Sequence, residues 1–140
     1  MADWNANIIE EFRSNEGRVG GYFEGATMLL LHTTGRRTGK EHVTPVVYLP
    51  DDHRWVVVGS KGGAPSDPDW VRNLEVDPDV TIEVGTETIP GHVTKVLRGG
   101  PEWESLYGRQ VERREGFAEY LVKTEGIRTI PVIVIERRKA

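Results

Sequence analysis

The sequence has no cysteine, which removes disulfide scaffolds, thiolate-bound zinc, iron–sulfur clusters and thiol catalysis. It also lacks long apolar runs. The longest, Met28–Leu31 and Pro131–Ile135, fall far short of the ~20 residues a membrane-spanning helix needs. No basic stretch followed by an apolar segment opens the chain, so no export signal is expected. A cytoplasmic location is expected instead, with a peripheral position at the membrane left open. An excess of positive charge is missing too: the net charge is −4 and the pI about 5.6, which argues against a general nucleic-acid or anionic-membrane binder. What remains is 140 residues, 37% hydrophobic and 29% charged. That composition fits one globular domain, 1–140, with a core that needs no metal or disulfide to hold it.

The charge is unevenly spread. Gly25 to Lys40 contains no acid but carries Arg36, Arg37 and Lys40, and His53 to Ser66 again has no acid but carries Arg54 and Lys61. Residues 25–66 sum to +2 and the rest of the chain to −6. A small basic island on an acidic protein points to a small anionic ligand.

Periodicity and turn residues divide the chain. Asp3 can cap a helix to about Ser14 that carries Trp4, Ile8 and Phe12 on one face. Strands are expected at 27–34, 42–49 and 55–59, separated by the Gly35–Lys40 turn and by Pro50-Asp51-Asp52. A Gly-rich loop, 60–65, leads to a helix ending near Val76, capped by Ser66 or Asp67. A hairpin around Gly85-Thr86, two helical pieces from Pro101 and about Gly116, and a last strand at 130–136 follow. Short turns make the first three strands antiparallel, which excludes a doubly wound parallel sheet. The expectation is an α+β fold on a small barrel of about six mostly antiparallel strands with three to four helices.

Several catalytic patterns fail. Gly35-Arg36-Arg37-Thr38-Gly39-Lys40-Glu41 has three residues between its glycines where a P-loop needs four, and Glu41 stands where Ser or Thr should hold magnesium. The four histidines, at 32, 42, 53 and 92, form no close pair, so no metal site is expected. Ser60, in Gly59-Ser60-Lys61-Gly62-Gly63, is not in a hydrolase elbow. Asp67 and Asp69 read as helix-capping carboxylates.

Three segments survive. In Thr33-Thr34-Gly35-Arg36-Arg37-Thr38-Gly39-Lys40, two guanidinium groups can fork onto phosphate or carboxylate oxygens. In Val56-Val57-Val58-Gly59-Ser60-Lys61-Gly62-Gly63, a buried strand runs into small residues with one hydroxyl and one ammonium, where a flat ligand could approach the main chain. In Pro68-Asp69-Trp70-Val71-Arg72-Asn73-Leu74, Trp70, Asn73 and Leu74 share a helical face, and a buried amide there wants a partner.

Taken in order, with Pro45 inside the intervening strand and Arg128-Thr129-Ile130-Pro131-Val132 before the last one, these segments resemble the deazaflavin-dependent nitroreductase family. The resemblance runs from about Ile9 to Glu136. It implies a split β-barrel related to flavin-mononucleotide-binding oxidases. It also implies hydride transfer from reduced coenzyme F420, a deazaflavin, to quinones, activated enones or nitroaromatics. By the family pattern Arg36, Arg37 and Thr38 contact the phosphate and tail. His42, Val43, Pro45, Val58, Gly59, Ser60 and Lys61 line the ring, and Trp70 and Asn73 complete the pocket. The sequence departs from that pattern at His42, where Arg is frequent, and at Phe117, where the nitroreductases carry a substrate-side Tyr. Tyr120 is the nearest hydroxyl by helical spacing. Phe117 and Tyr120 are thus the candidate substrate residues, and Tyr120 and Ser60 the candidate catalytic hydroxyls. The expected partner is a small-molecule electron acceptor, in a monomer or homodimer. The alternatives are a flavin mononucleotide (FMN) enzyme on the same fold and a non-catalytic deazaflavin carrier.

Overall fold

Turn residues cut the apolar segments into strands, and the pairing of those strands sets the architecture. The computed structural model describes residues 2–138, without the side chains of residues 2–4 and of Tyr22. The expected Asp3 cap and Trp4 contact rest on side chains outside that description, and Lys139 lies outside the described residues. In chain order the elements are α1 (Ala2–Ser14), β1 (Met28–Thr34), β2 (Glu41–Asp51), β3 (Arg54–Val58), α2 (Asp69–Val76), β4 (Asp79–Val84), β5 (Glu87–Leu97), α3 (Pro101–Arg113), α4 (Gly116–Thr124) and β6 (Val132–Arg137). Single 3-10 turns lie at Gly21–Phe23 and Lys61–Gly63.

The strands close into an antiparallel barrel in the order β1-β2-β3-β6-β5-β4, with β4 returning to β1. This is the expected split-barrel class. Three of the pairings, β1–β2, β2–β3 and β4–β5, are local hairpins. The last strand is not local: β6 inserts between β3 and β5, pairing Val56 with Val134 and Val93 with Ile135. Both neighbours and both faces of β6 are covered, so Val132, Ile133, Val134 and Ile135 are all 0% exposed. Ile133 and Ile135 point into the barrel with Leu29, Leu31, Val57 and Ile82. Val132 and Val134 face α3 and α4 through Leu106, Tyr107 and Phe117. Each such buried side chain contributes ~1.5–3 kcal/mol.

Helix α1 covers a third cluster, formed by Phe12, Val19, Met28 and Leu30 with Ile8 and Ile9 alongside. Its last turn is tied down by charge. Arg13 Nη2 lies 2.6 Å from Glu83 Oε2, and the same oxygen is 2.6 Å from His32 Nε2. The hydrogen bond from Arg13, ahead of the one from His32, holds the Glu83 carboxyl below its usual range.

Where β3 ends, the Gly59 N–H donates to the Pro131 carbonyl at 2.9 Å. A Cβ at position 59 would come within 2.8 Å of Val71 Cγ2 and 2.9 Å of Pro131 Cγ. Glycine here allows α2 and the start of β6 to close on the strand end.

Two outcomes follow. Gly59→Ala should destabilise the fold by ~1–3 kcal/mol, the usual cost of overpacking, seen as a lower urea midpoint. An unchanged midpoint would mean that Val71 and Pro131 do not set this spacing. Glu83→Gln should cost about 1 kcal/mol at pH 7, the upper end for a pair half open to solvent. Because the folded carboxyl titrates below the unfolded one, its contribution is complete above the unfolded value of about 4.3 and fades as pH falls through the depressed folded value. The gap between wild type and variant should therefore shrink in urea titrations at about pH 3; a constant gap would remove Glu83 from this role.

Candidate active site

The β1–β2 turn is closed by main-chain bonds, Gly35 N–H to the Lys40 carbonyl at 2.7 Å and Gly39 N–H to the Gly35 carbonyl at 2.9 Å. It is also fastened to α2. Asn73, 5% exposed, accepts from the Arg36 main-chain N–H at 3.2 Å and from the Arg36 guanidinium at 2.8 Å, both on Oδ1. The buried amide thus has its partner, and Arg36 serves as a brace. Its other nitrogen lies 3.4 Å from the Asp69 carboxylate. Arg37, Thr38 and Lys40 are exposed on the same turn. Beside them opens a cavity of about 510 Å³, lined by Arg36, Arg37, Thr38, Lys40 and His42, and by Trp70 and Asn73 of α2. Asp69 is the one carboxylate among the described residues lining it.

The loop from β3 to α2 makes the next wall. Lys61, Gly62 and Gly63 all have positive φ, at 48°, 63° and 83°. A lysine in the left-handed region is strained and needs outside support. Arg128 supplies it. Its guanidinium donates to the carbonyls of Ala64 at 2.9 Å, Ser60 at 2.8 Å and Gly59 at 3.2 Å, and to Asp67 Oδ1 at 2.9 Å. Asp67 also pairs with Arg98 at 3.1 Å. The expected capping role of Asp67 is therefore corrected: Pro68 occupies the N-cap of α2 without a side-chain bond, and Asp67 is committed to two arginines.

A second cavity, of about 340 Å³, lies against this loop. Pro45, Val58, Phe117 and Tyr120 give it apolar walls, and Ser60, Lys61 and Arg114 its polar points. The α3–α4 corner fixes the far wall. Tyr107 donates its buried hydroxyl to the Phe117 carbonyl at 2.7 Å, and Phe117 meets Tyr120 edge to face at 5.1 Å. Burial pushes the Tyr107 phenol well up, so it stays a proton donor at any physiological pH. The two cavities share Thr44 and Trp70 and so adjoin.

The structure brings Arg36, Arg37, Thr38, His42 and Asn73 to the first cavity, Pro45, Val58, Ser60, Lys61, Phe117 and Tyr120 to the second, and Trp70 to both. Two candidates line neither. Val43 packs beneath α1 in the cluster of Phe12 and Leu30, because strand alternation turns it away from His42 and Thr44. Gly59 is held against Val71 and Pro131 rather than opened to a ligand. Sequence reasoning misses Arg114, which lines the second cavity beside Lys61, and Arg128, the clamp on the loop. Arg128 belongs to one of the segments that carry the resemblance, but its recognition of main-chain carbonyls more than 60 residues away leaves no spacing signal.

Known proteins share this architecture and much of this sequence. An F420H(2)-dependent quinone reductase of Mycobacterium tuberculosis (strain H37Rv) is 36% identical over 129 residues, covering 91% of this chain and 85% of that protein. A solved F420-H2 dependent reductase is 31% identical with a TM-score of 0.70, over 84% of this chain and all of that one. Another solved chain, described as a domain-swapped dimer, is 30% identical with a TM-score of 0.71, over 96% of this chain and 98% of that one. Residues 4–137 match the family described as F420H(2)-dependent quinone reductase, and the chain belongs to that family.

Proposed function

We propose that this protein reduces a flat quinone with the hydride of reduced coenzyme F420, and that activated enones and nitroaromatics enter the same acceptor cavity. Membership of the family implies coenzyme F420 as the cofactor. The observation that carries the reading is the junction at Thr44 and Trp70 of a cationic cavity and an apolar one. The donor set fits the coenzyme: Arg37 and Lys40, beyond the Arg36–Asp69 pair, suit its phosphodiester and glutamyl tail, and a Gly-rich loop facing apolar walls suits its ring. When bound, the coenzyme supplies the hydride.

The chain's own residues do the rest. Arg37, Thr38 and Lys40 would hold the anionic tail, while Asn73, through Arg36, keeps their turn in place. Pro45, Val58 and Trp70 would flank the ring, with Ser60 and Lys61 reaching its edge. Phe117 and Tyr120 close the acceptor side and limit water there. Tyr120 is the hydroxyl that would donate to an acceptor oxygen as it gains charge.

A fluorescence titration with coenzyme F420, run beside FMN, tests the reading. Arg37→Ala should weaken coenzyme binding roughly 10- to 100-fold, the loss of one charge-assisted hydrogen bond, and added salt should weaken wild-type binding. Equal affinities for variant and wild type, or tighter binding of FMN, would overturn the assignment. Stopped-flow oxidation of the loaded, reduced enzyme by a small quinone tests Tyr120. Tyr120→Phe should slow hydride transfer by about 10-fold with coenzyme affinity kept, because water can replace a lone phenol only in part. An unchanged rate would leave proton delivery to solvent. Tight binding with no turnover against any quinone would favour a carrier.

A further inference from the structure

We propose that Arg98, which lines neither cavity, is a positioning residue for the coenzyme: it locks the clamp on the 60–64 loop to α2, and so sets the spacing between the two walls that meet the ring. The proposal rests on the reading of those cavities as the coenzyme and acceptor site.

The two walls are held in different ways. Helix α2 brings Trp70 to the second cavity and is anchored in the core by Val71 and Leu74, 0% and 1% exposed. The loop brings Ser60 and Lys61 to the same cavity, but from 60 to 64 only Gly63 is buried. With no apolar anchor, the order of the loop falls to polar bonds, chiefly those from Arg128 to the carbonyls of Gly59, Ser60 and Ala64. The spacing of loop and helix therefore depends on what Arg128 is tied to.

Arg128 is tied to α2 through Asp67 and Arg98. Arg98 follows the last residue of β5. One of its nitrogens lies 3.2 Å from Glu75 Oε2, in the last turn of α2, and the other 3.1 Å from Asp67 Oδ2, just ahead of the first turn. Glu75 thus fixes the guanidinium against a helix that the core already holds. The remaining oxygen of Asp67, Oδ1, accepts from Arg128 at 2.9 Å, so each carboxylate oxygen has its own guanidinium. The Asp67 and Arg128 side chains are 14% and 11% exposed, and that of Arg98 is 43% exposed. A carboxylate so far from water that loses one of its two partners is free to turn, and its bond to Arg128 loosens with it. The barrel, built on apolar strands, has no such dependence, because a half-exposed ion pair adds little to folding.

The test combines coenzyme affinity with hydrogen exchange. Fluorescence titration with coenzyme F420 should show Arg98→Gln binding about 5-fold more weakly than wild type, since part of the population has the loop out of place. Arg98→Lys should keep more of the affinity than Arg98→Gln. Asp67→Asn should also weaken binding, although it removes a negative charge, and adding Arg98→Gln to it should cost little more. Tighter binding by Asp67→Asn, or full additivity of the two changes, would make Arg98 a distant attraction for the anionic tail and overturn the proposal. In the chain without coenzyme, the Gly63 and Ala64 amides donate to the Ser60 and Lys61 carbonyls at 2.9 and 3.1 Å. In Arg98→Gln these amides should exchange faster while those of β4 and β6 keep their protection. Loss of protection in the barrel as well would make Arg98 a stabiliser of the whole fold, and unchanged exchange at Gly63 and Ala64 would remove it from the loop; either overturns the proposal. Failure of wild type to bind the coenzyme would overturn the proposed function, whereas normal binding by wild type and Arg98→Gln alike overturns the role of Arg98 alone.

Discussion

The ladder between β3 and β6 is the contact on which the site depends. It joins residues that are 74 to 82 positions apart, from Val58 with Val132 to Arg54 with Glu136. It closes the barrel, since β6 reaches β5 on its other edge. At its upper end the register continues past the strands as the bond from Gly59 to Pro131. That bond sets the height at which the chain leaves β3, and the close contact with Val71 and Pro131 leaves no room for a side chain there. Three residues before Pro131 stands Arg128, brought by the same ladder to the carbonyls of the loop it clamps. A shift of the ladder by one residue would turn Ile133 and Ile135 out of the barrel and carry Arg128 off its partners.

The cations of the site divide by what they already hold. Arg36 is bonded to Asn73 and lies near Asp69, so its charge is largely spent on binding the turn to α2. Arg128 and Arg98 are spent on Asp67. Arg37 and Lys40 are exposed at the mouth of the first cavity, and Lys61 lines the second, where no acid stands among the described lining residues. Counting positive residues in the sequence overstates the ligand-facing charge; the braces must be subtracted first. What is left still favours an anion at one end and a flat, weakly polar ring at the other, because long-range attraction is strongest where low-dielectric walls focus it.

Among the described residues the six strands and four helices fall near the bounds expected from sequence, most clearly where Gly or Asp ends the element: β1 at Gly35, β3 at Gly59, α2 at Asp77 and β4 at Gly85. The local hairpins follow from turn length. The place of β6 between β3 and β5 is not legible in the sequence, since a pairing over 70 residues has no local signature. For the site, whole-loop motifs are the better guide: the Gly35–Lys40 turn and the Ser60–Lys61 loop both reach the cavities. Single positions inside a strand are harder to place. Val43 lies between His42 and Pro45 in the family pattern, yet alternation and the packing of α1 send it to the cluster of Phe12. Asp67 reads as a cap because capping is the local use of an aspartate before a helix, and its partners Arg98 and Arg128 are distant in sequence.

Fold and site meet in the loop at Ser60–Ala64. Holding a lysine at positive φ costs on the order of 1 kcal/mol, and the two glycines that follow lose more backbone entropy than other residues would. A free loop of this composition would sample many conformations, and a ligand would have to order it at the expense of affinity. Three carbonyl bonds from one partly buried guanidinium offset that cost within the protein itself, before any ligand arrives. The guanidinium is in turn held by Asp67, and Asp67 by Arg98, so the strain at Lys61 is balanced by a chain of charged contacts that ends at the surface. The loop is thus ordered by groups that do not line either cavity wall around Ser60 and Lys61. Among the described residues no hydrogen bond or ion pair engages the side chains of Ser60 and Lys61, so binding need not be traded against folding at those two positions.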